Sequence, residues 1–384
     1  MRRSPPLPTA PGEATPEWLT WALREQFPDA PPVAVVDWEL IGQGYGLTGV
    51  VARLSVEYAQ AIARVPRTFI LKLPMASPES MSLYRAIQMR DEAAALQFYE
   101  RCAREVRFYR EIALESPVIA PKAYFAASDD EERSVVLLLE DLVAGRPGDV
   151  LAGCAVAEAR DVLQLLSRFH ARWWGRTETS ATRFPWLPGW GGGYAARQKR
   201  YDDQVPRFLE RWGALIPPEI VAIAQRLRSR YAALLEALDA LPSTIIHADL
   251  HLDNLMFAMP DRQPSLAALD WQSVCRGPAI VDIGPFIAGS LQPDDRRRAE
   301  HSLLETYHAQ LVANGIGDYS LARMQHDFAL MLPCMLAGII GWLANSDPDR
   351  LSGREQRLVE AALGDGRVIS ALLDHDVLQL LNTL

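Results

Sequence analysis

A chain of 384 residues can bury one large core or two moderate ones, and the length favours two lobes. With 49% apolar and 23% charged residues it has the balance of a soluble globular protein. A formal charge of −9 and a pI near 5.4 argue against a nucleic-acid partner, whose phosphate backbone calls for clustered Lys and Arg. Cys102, Cys154, Cys275 and Cys334 lie far apart with no paired spacing, so reduced thiols in a cytoplasmic protein are expected rather than a disulfide framework or a zinc site.

The Pro-rich start has two arginines but no apolar run behind them, and no secretory signal is expected. Thr15-Pro16-Glu17 has the form of an N-cap followed by a first-turn proline and acid, and predicts a short helix to about Gln26. The period then changes to two. Val33 to Ile41 and Val50 to Tyr58 predict strands, the second with Val50, Ala52, Leu54, Val56 and Tyr58 on one face. Between them, Gly44-Tyr-Gly46-Leu-Thr-Gly49 fits a dinucleotide-binding turn only if a helix follows. A strand follows instead, so a hairpin is expected, either an ordinary glycine-rich turn or one that covers ATP phosphates.

Thr68 to Leu73 predicts a third strand, carrying Lys72. The chain has 36 Arg and only three Lys, so a Lys on an apolar strand is a candidate for a compact charge that a planar guanidinium cannot replace. Ser82 to Leu114 has a helical pattern, in one helix or two. Within it Glu105 lies one turn before Phe108 and Tyr109, where it can pair with Lys72 or bridge to Arg101 or Arg104 in solvent. Ser134 to Leu139 is a continuous apolar strand ending in Glu140-Asp-Leu142, after which Gly145, Pro147 and Gly148 break the chain. The layout expected is a tail and leading helix over 1–30, a sheet lobe over 31–142 and a helical lobe over 143–384.

Past the break, helices are expected from Ala155 to Trp174, from Pro217 to Leu241, and in about four segments from Pro278 to the end. Phe184 to Tyr194, rich in glycine and aromatics, fits either a lid or core. His170, among aromatics, reads as a core histidine. The apolar Ser243 to Ile246 leads into His247-Ala-Asp249-Leu-His-Leu-Asp-Asn254. An acid at the start of such a loop can take the proton of an attacking hydroxyl, and an amide five residues on can hold magnesium. His251 reads as structural, since Asp249 already supplies the base. Leu266 to Leu269 is a short apolar strand ending in Asp270, a second oxygen ligand or the cap of a turn. Phe328 to Ala344 carries no charge, but it is barely long enough for a bilayer and Pro333 interrupts it, so a buried core helix is expected.

Taken in order, the glycine hairpin, strand Lys, helix Glu, His-x-Asp loop and strand Asp resemble the aminoglycoside phosphotransferase and choline kinase superfamily, over about residues 38 to 290. Glu140-Asp-Leu142, His247-Ala-Asp249, Asp270-Trp-Gln272 and Val281-Asp282-Ile-Gly284 most resemble its ecdysteroid-kinase-like branch. The resemblance implies an α+β, protein-kinase-like two-lobe fold, with a small antiparallel-sheet N-lobe and a larger, mainly helical C-lobe. It implies Asp249 as the catalytic acid, Asn254 and Asp270 as magnesium ligands, and Gly44, Gly46 and Lys72 at the ATP phosphates. Glu105 would anchor Lys72, the backbone from Glu140 to Leu142 would meet adenine, and His247 and Asp282 would brace the loop. Ala248 stands where protein kinases have Arg, so no phosphorylated activation loop need be read. The function expected is ATP- and magnesium-dependent phosphorylation of a hydroxyl on a bulky, partly apolar small molecule, with no nucleic-acid partner and no membrane span. An aminoglycoside or choline-like amino alcohol is an alternative acceptor, and a regulatory nucleotide-binding pseudokinase is an alternative of another class.

Overall fold

The structure, a computed structural model, describes residues 5–42, 49–60, 65–74, 91–116, 120–259, 265–348, 351, 353–364 and 366–384. The chain divides into two compact units, Met1–Gly145 with Ala267–Ser273, and Arg146–Leu266 with Val274–Leu384.

In the first unit, α1 (Pro16–Arg24) starts where its capping sequence places it, with the Thr15 hydroxyl accepting from the Trp18 N–H at 3.3 Å. Its apolar face, Trp18, Leu19, Ala22 and Leu23, packs on an antiparallel sheet. That sheet holds β1 (Val33–Leu40), β2 (Val50–Tyr58), β3 (Thr68–Leu73), β4 (Ala123–Asp129) and β5 (Ser134–Glu140), in the order β1-β2-β3-β5-β4. Alternation along β2 buries Ala52, Leu54 and Val56 as expected. The strand β4 was not visible in the sequence: Ala-Tyr-Phe-Ala-Ala has weak strand propensity, and pairing with the wholly apolar β5 imposes the conformation. The helix carrying Glu105 is α2 (Glu92–Arg107), capped by Asp91 and running into a π-helical turn, Phe108–Ile112. The start of the expected helical stretch, Ser82 to Arg90, lies outside the described residues.

The second unit is mainly helical. It begins with β6 (Arg146–Pro147) and α3 (Val156–Trp173), followed by α4 (Thr177–Arg183) and α5 (Tyr194–Trp212). Neither α4 nor α5 was expected from sequence; Pro206 inside α5 hides a regular burial spacing at Tyr201, Val205, Phe208 and Trp212. The single helix expected from Pro217 to Leu241 is two, α6 (Pro218–Leu227) and α7 (Tyr231–Asp239). Gln198 of α5 meets the break, donating to the Arg228 carbonyl at 2.8 Å and accepting from the Ala232 N–H at 3.0 Å. Next come β7 (Ser243–Ile246) and β8 (Leu255–Phe257), which pairs with β6, then β9 (Leu266–Ala268), whose last residues belong to the first unit. β10 (Cys275–Pro278) pairs with β7. Instead of about four, the described residues at the end of the chain form six helices: α8 (Ile280–Ser290), α9 (Pro293–Ala313), α10 (Leu321–Leu343), α11 (Gly353–Leu363), α12 (Arg367–Asp374) and α13 (Val377–Thr383). α10 is long and apolar enough to span a bilayer, but 61% of its most apolar stretch is buried inside the unit, as a core helix should be.

Candidate active site

Each unit contributes its own group of residues. In the first, alternation along β3 buries Phe69, Leu71 and Leu73 against the α1 side and turns Lys72 to the other face. There its ammonium lies 2.6 Å from Glu105 and 2.7 Å from Asp270. Glu105 is only 1% exposed, and its second oxygen accepts from the Trp271 N–H at 3.3 Å. The alternative bridges to Arg101 and Arg104 do not form; these residues reach Ser273 and the Gln272 carbonyl instead. Burial works against the Lys72 charge, but the carboxylates of Asp270 and Glu105 outweigh it and hold the amine above its usual range. The Glu105 carboxyl is raised, chiefly by burial, because one ammonium does not neutralise two acids.

Asp270 adopts φ 62°, a left-handed conformation that glycine favours and that Asp tolerates better than most side chains. The residues after it hold it there. Trp271 is fully buried and stacked on Phe108, with ring centroids 4.0 Å apart, and the Gln272 amide donates to Asp270 at 3.2 Å. Of the glycines expected at the phosphates, Gly44 and Gly46 lie outside the described residues. Gly49 closes the same loop at φ 89°, where a Cβ would fall 2.3 Å from the Pro74 Cα. At the end of β5, the Glu140 side chain is bonded to the Lys122 N–H and Asp141 to Arg53. The Leu142 N–H has no partner among the described residues, which leaves it free to donate to a planar heterocycle.

In the second unit the loop from His247 to Asn254 hangs on one buried carboxylate. Asp282 accepts from the His247 N–H at 2.7 Å, from the Ala248 N–H at 2.8 Å and from the His170 ring at 3.2 Å. The other His170 nitrogen meets the Tyr307 hydroxyl at 2.7 Å, so His170 is a satisfied core histidine as expected. Burial pushes the Asp282 carboxyl up, but the hydrogen bond and charge of His170, then those of His247, outweigh it and hold the group below the usual range. Ala248, at φ 62°, turns the chain sharply before Asp249.

The Asn254 amide nitrogen donates to the Asp249 carbonyl at 3.0 Å and lies 3.1 Å from the His251 ring. That fixes the amide and leaves its oxygen without a partner among the described residues, which fits a hard cation. Asp270 offers the same ligand chemistry on the first unit. The end of the loop is pinned by Asp253, which accepts from Val150 and is paired with Arg354 at 2.7 Å.

Asp249 lines a cavity of about 690 Å³, lying wholly within the second unit. Met331, Met335 and Gly338 of α10 and Val281 and Pro285 of α8 form apolar wall, and Arg197, Arg200 and Gln204 of α5 form polar wall. Within the aromatic stretch, Phe184 and Leu187 are core while Trp190 lines the cavity. Backbone bonds of 2.8 and 2.7 Å tie Pro188 and Trp190 to Arg276 of β10, so this part of the stretch is anchored to the sheet. Sequence reasoning missed the α5 residues and the hold of His251 on Asn254. The signal for the first was present, since positions 197, 200, 201 and 204 share one helix face.

Neither group resembles a covalent nucleophile with its base. Both are fitted to charge and position, which is what phosphoryl transfer asks of a protein. The model of the phosphotransferase enzyme family matches residues 59–323, more than half of the chain, and the protein belongs to that family. It is a phosphotransferase with the kinase-like fold. The match is to the family as a whole and does not select the ecdysteroid-kinase-like branch. Similar solved structures include a putative aminoglycoside phosphotransferase from Ralstonia eutropha, 17% identical over 94% of this chain and 98% of that one, with a TM-score of 0.49. They also include the choline kinase LicA from Streptococcus pneumoniae, 12% identical over 93% and 99%, with a TM-score of 0.48. A microcompartment-associated aminopropanol kinase is 16% identical over 94% and 99%, with a TM-score of 0.42. No curated protein matches the chain.

Proposed function

We propose that the protein is an ATP- and magnesium-dependent kinase that transfers the γ-phosphoryl group to a hydroxyl of a bulky, partly apolar small molecule. The observation that carries this reading is the position of Asp249, a carboxylate in the wall of a ligand-sized cavity that has an apolar side and a polar side. An alcohol held there presents its hydroxyl to Asp249, which orients it and takes its proton as the oxygen attacks the γ-phosphorus. The new O–P bond forms as the bond to the β,γ-bridging oxygen breaks, and ADP leaves.

In this reading Lys72 contacts the ATP phosphates, held in place by Glu105, and the backbone from Glu140 to Leu142 takes the adenine. The free Leu142 N–H and the buried Lys72–Glu105 pair support those two assignments. Asn254 and Asp270 would hold the metal, which when bound would neutralise charge on the transferring phosphoryl group. His247 and Asp282 act only on the loop, fixing the direction from which Asp249 enters the cavity. Ala248 offers no charge to a phosphorylated segment, which supports constitutive competence.

The test is ADP release from purified protein with ATP and magnesium, with and without a panel of hydroxylated acceptors. The proposal expects release that requires both metal and acceptor. Tight nucleotide binding with no acceptor-dependent release across a chemically broad panel would instead favour the pseudokinase reading.

A further inference from the structure

The acceptor cavity is charged on one side, and the sign is opposite to that needed for an amino alcohol. We infer that the acceptor carries an oxyanion, a carboxylate or a phosphate, bound by Arg197 and Arg200 at a distance from the hydroxyl that reacts. This rests on the kinase reading above and specifies its substrate class.

Arg197, Arg200, Tyr201 and Gln204 stand at i, i+3, i+4 and i+7 of α5 and all line the cavity. None of the acids of the same helix lines the cavity, and two are engaged elsewhere: Asp203 with Lys199 at 2.7 Å, and Asp202 with Gln198 at 3.1 Å. No carboxylate pairs with Arg197 or Arg200 among the described residues. Arg197 is half-buried, with its guanidinium over the Trp190 ring at 5.0 Å from the centroid. A guanidinium held over a ring in this way loses little further freedom when a bidentate oxyanion arrives. Its charge acts on Tyr231 and Cys334, both cavity residues, which places it on the inner side of the helix.

Against these two cations the lining contributes one carboxylate, Asp249, already assigned to the reacting hydroxyl. A polycationic acceptor would meet two like charges and a single acid. An acceptor with an apolar body and an anionic end would match the methionine-lined wall and the arginine pair together.

Two measurements test this, the first without any chemistry. Binding of decanoate, monodecyl phosphate, methyl decanoate and decyltrimethylammonium is measured by calorimetry in the absence of nucleotide, for wild type, Arg197→Gln, Arg200→Gln and Arg197→Lys. The inference expects at least one anion to bind about 10-fold or more tighter than the ester and the cation, with that preference falling about 10-fold in Arg197→Gln and partly restored in Arg197→Lys. If decanoate is preferred the oxyanion is a carboxylate; if monodecyl phosphate, a phosphate. Equal affinity for all four probes, preference for the cation, no binding of either anion, or an anion preference unchanged in both glutamine variants would each overturn it. Arg200→Gln covers the case in which Arg197→Gln fails to fold. The second measurement is ADP release with ω-hydroxydecanoate against its methyl ester, where the acid should have the higher kcat/KM. Failure of the kinase reading shows separately, as absence of turnover with either compound while the anion preference in binding persists.

Discussion

At the scale of single residues, the structure turns an ambiguous helix glutamate into a defined one. Glu105 looked from sequence as if it could bridge to arginines in solvent; buried against Lys72 and Trp271, it is part of the interior. Removing one partner of a buried ion pair leaves the other uncompensated, so Glu105→Ala is expected to cost about 3–5 kcal/mol of stability. It should also raise the KM for ATP, because Lys72 then rests on Asp270 alone. Thermal melting and nucleotide titration check both, and an unchanged melting temperature would show that the pair is not buried in solution. Ala248 makes the opposite kind of prediction. At φ 62° it occupies a conformation that suits glycine, so Ala248→Gly should cost less than about 0.5 kcal/mol. Ala159→Gly, inside α3, should cost about 1 kcal/mol. Equal losses at the two positions, read from denaturant unfolding, would contradict the left-handed turn. The identity of Ala248 was plain in the sequence; its backbone conformation was not, because Asp282 imposes it from 34 residues away.

At the scale of elements, α3, α8 and α9 meet at Asp282, which receives the loop from His247 to Asn254 on one side and His170 on the other. Because that carboxyl is held below its usual range, the stability it contributes is complete above the ordinary carboxylate pKa and is lost as the pH falls below it. The destabilisation caused by Asp282→Asn should accordingly be large at neutral pH and shrink once the pH drops under about 4. A difference constant down to that point would rule out the bracing role as an ionised group. Gly148 supplies an element-level test of another kind, since a Cβ there would lie 2.1 Å from the Leu252 carbonyl oxygen. Gly148→Ala must displace the Leu252–Asn254 turn, at about 1–3 kcal/mol, and should lower turnover more than it lowers the melting temperature. Elements with strong local signals were legible from sequence: the capped α1, the alternating β2, the apolar β5 and the buried α10. β4 and α5 were not, since alanine-rich β4 is made a strand by β5 and a proline interrupts the reading of α5.

At the scale of the whole molecule, the sequence showed the order of the chemical groups, and the structure adds what surrounds each of them. Lys72, Glu105 and Asp270 were expected together and form one cluster within the first unit. Asp249 and Asn254 lie on one braced loop within the second, joined through the Asp249 carbonyl. The character of the cavity beside Asp249 was hidden, because its lining comes from segments between residues 150 and 368 whose individual patterns carry no trace of a common wall. The expected bulky, partly apolar acceptor drew on Trp190 and the apolar helix, and both line that wall, while Trp186 meets Phe184 edge-on instead.

The central claim is that Asp249 handles the proton of the acceptor hydroxyl while other residues hold the nucleotide. Phosphoryl transfer to an accepted alcohol, measured in a single turnover alongside ATP affinity in wild type and Asp249→Ala, tests it most directly. The account predicts a loss of transfer of about 100- to 10,000-fold with ATP affinity nearly unchanged. Transfer at the wild-type rate in the variant would contradict it.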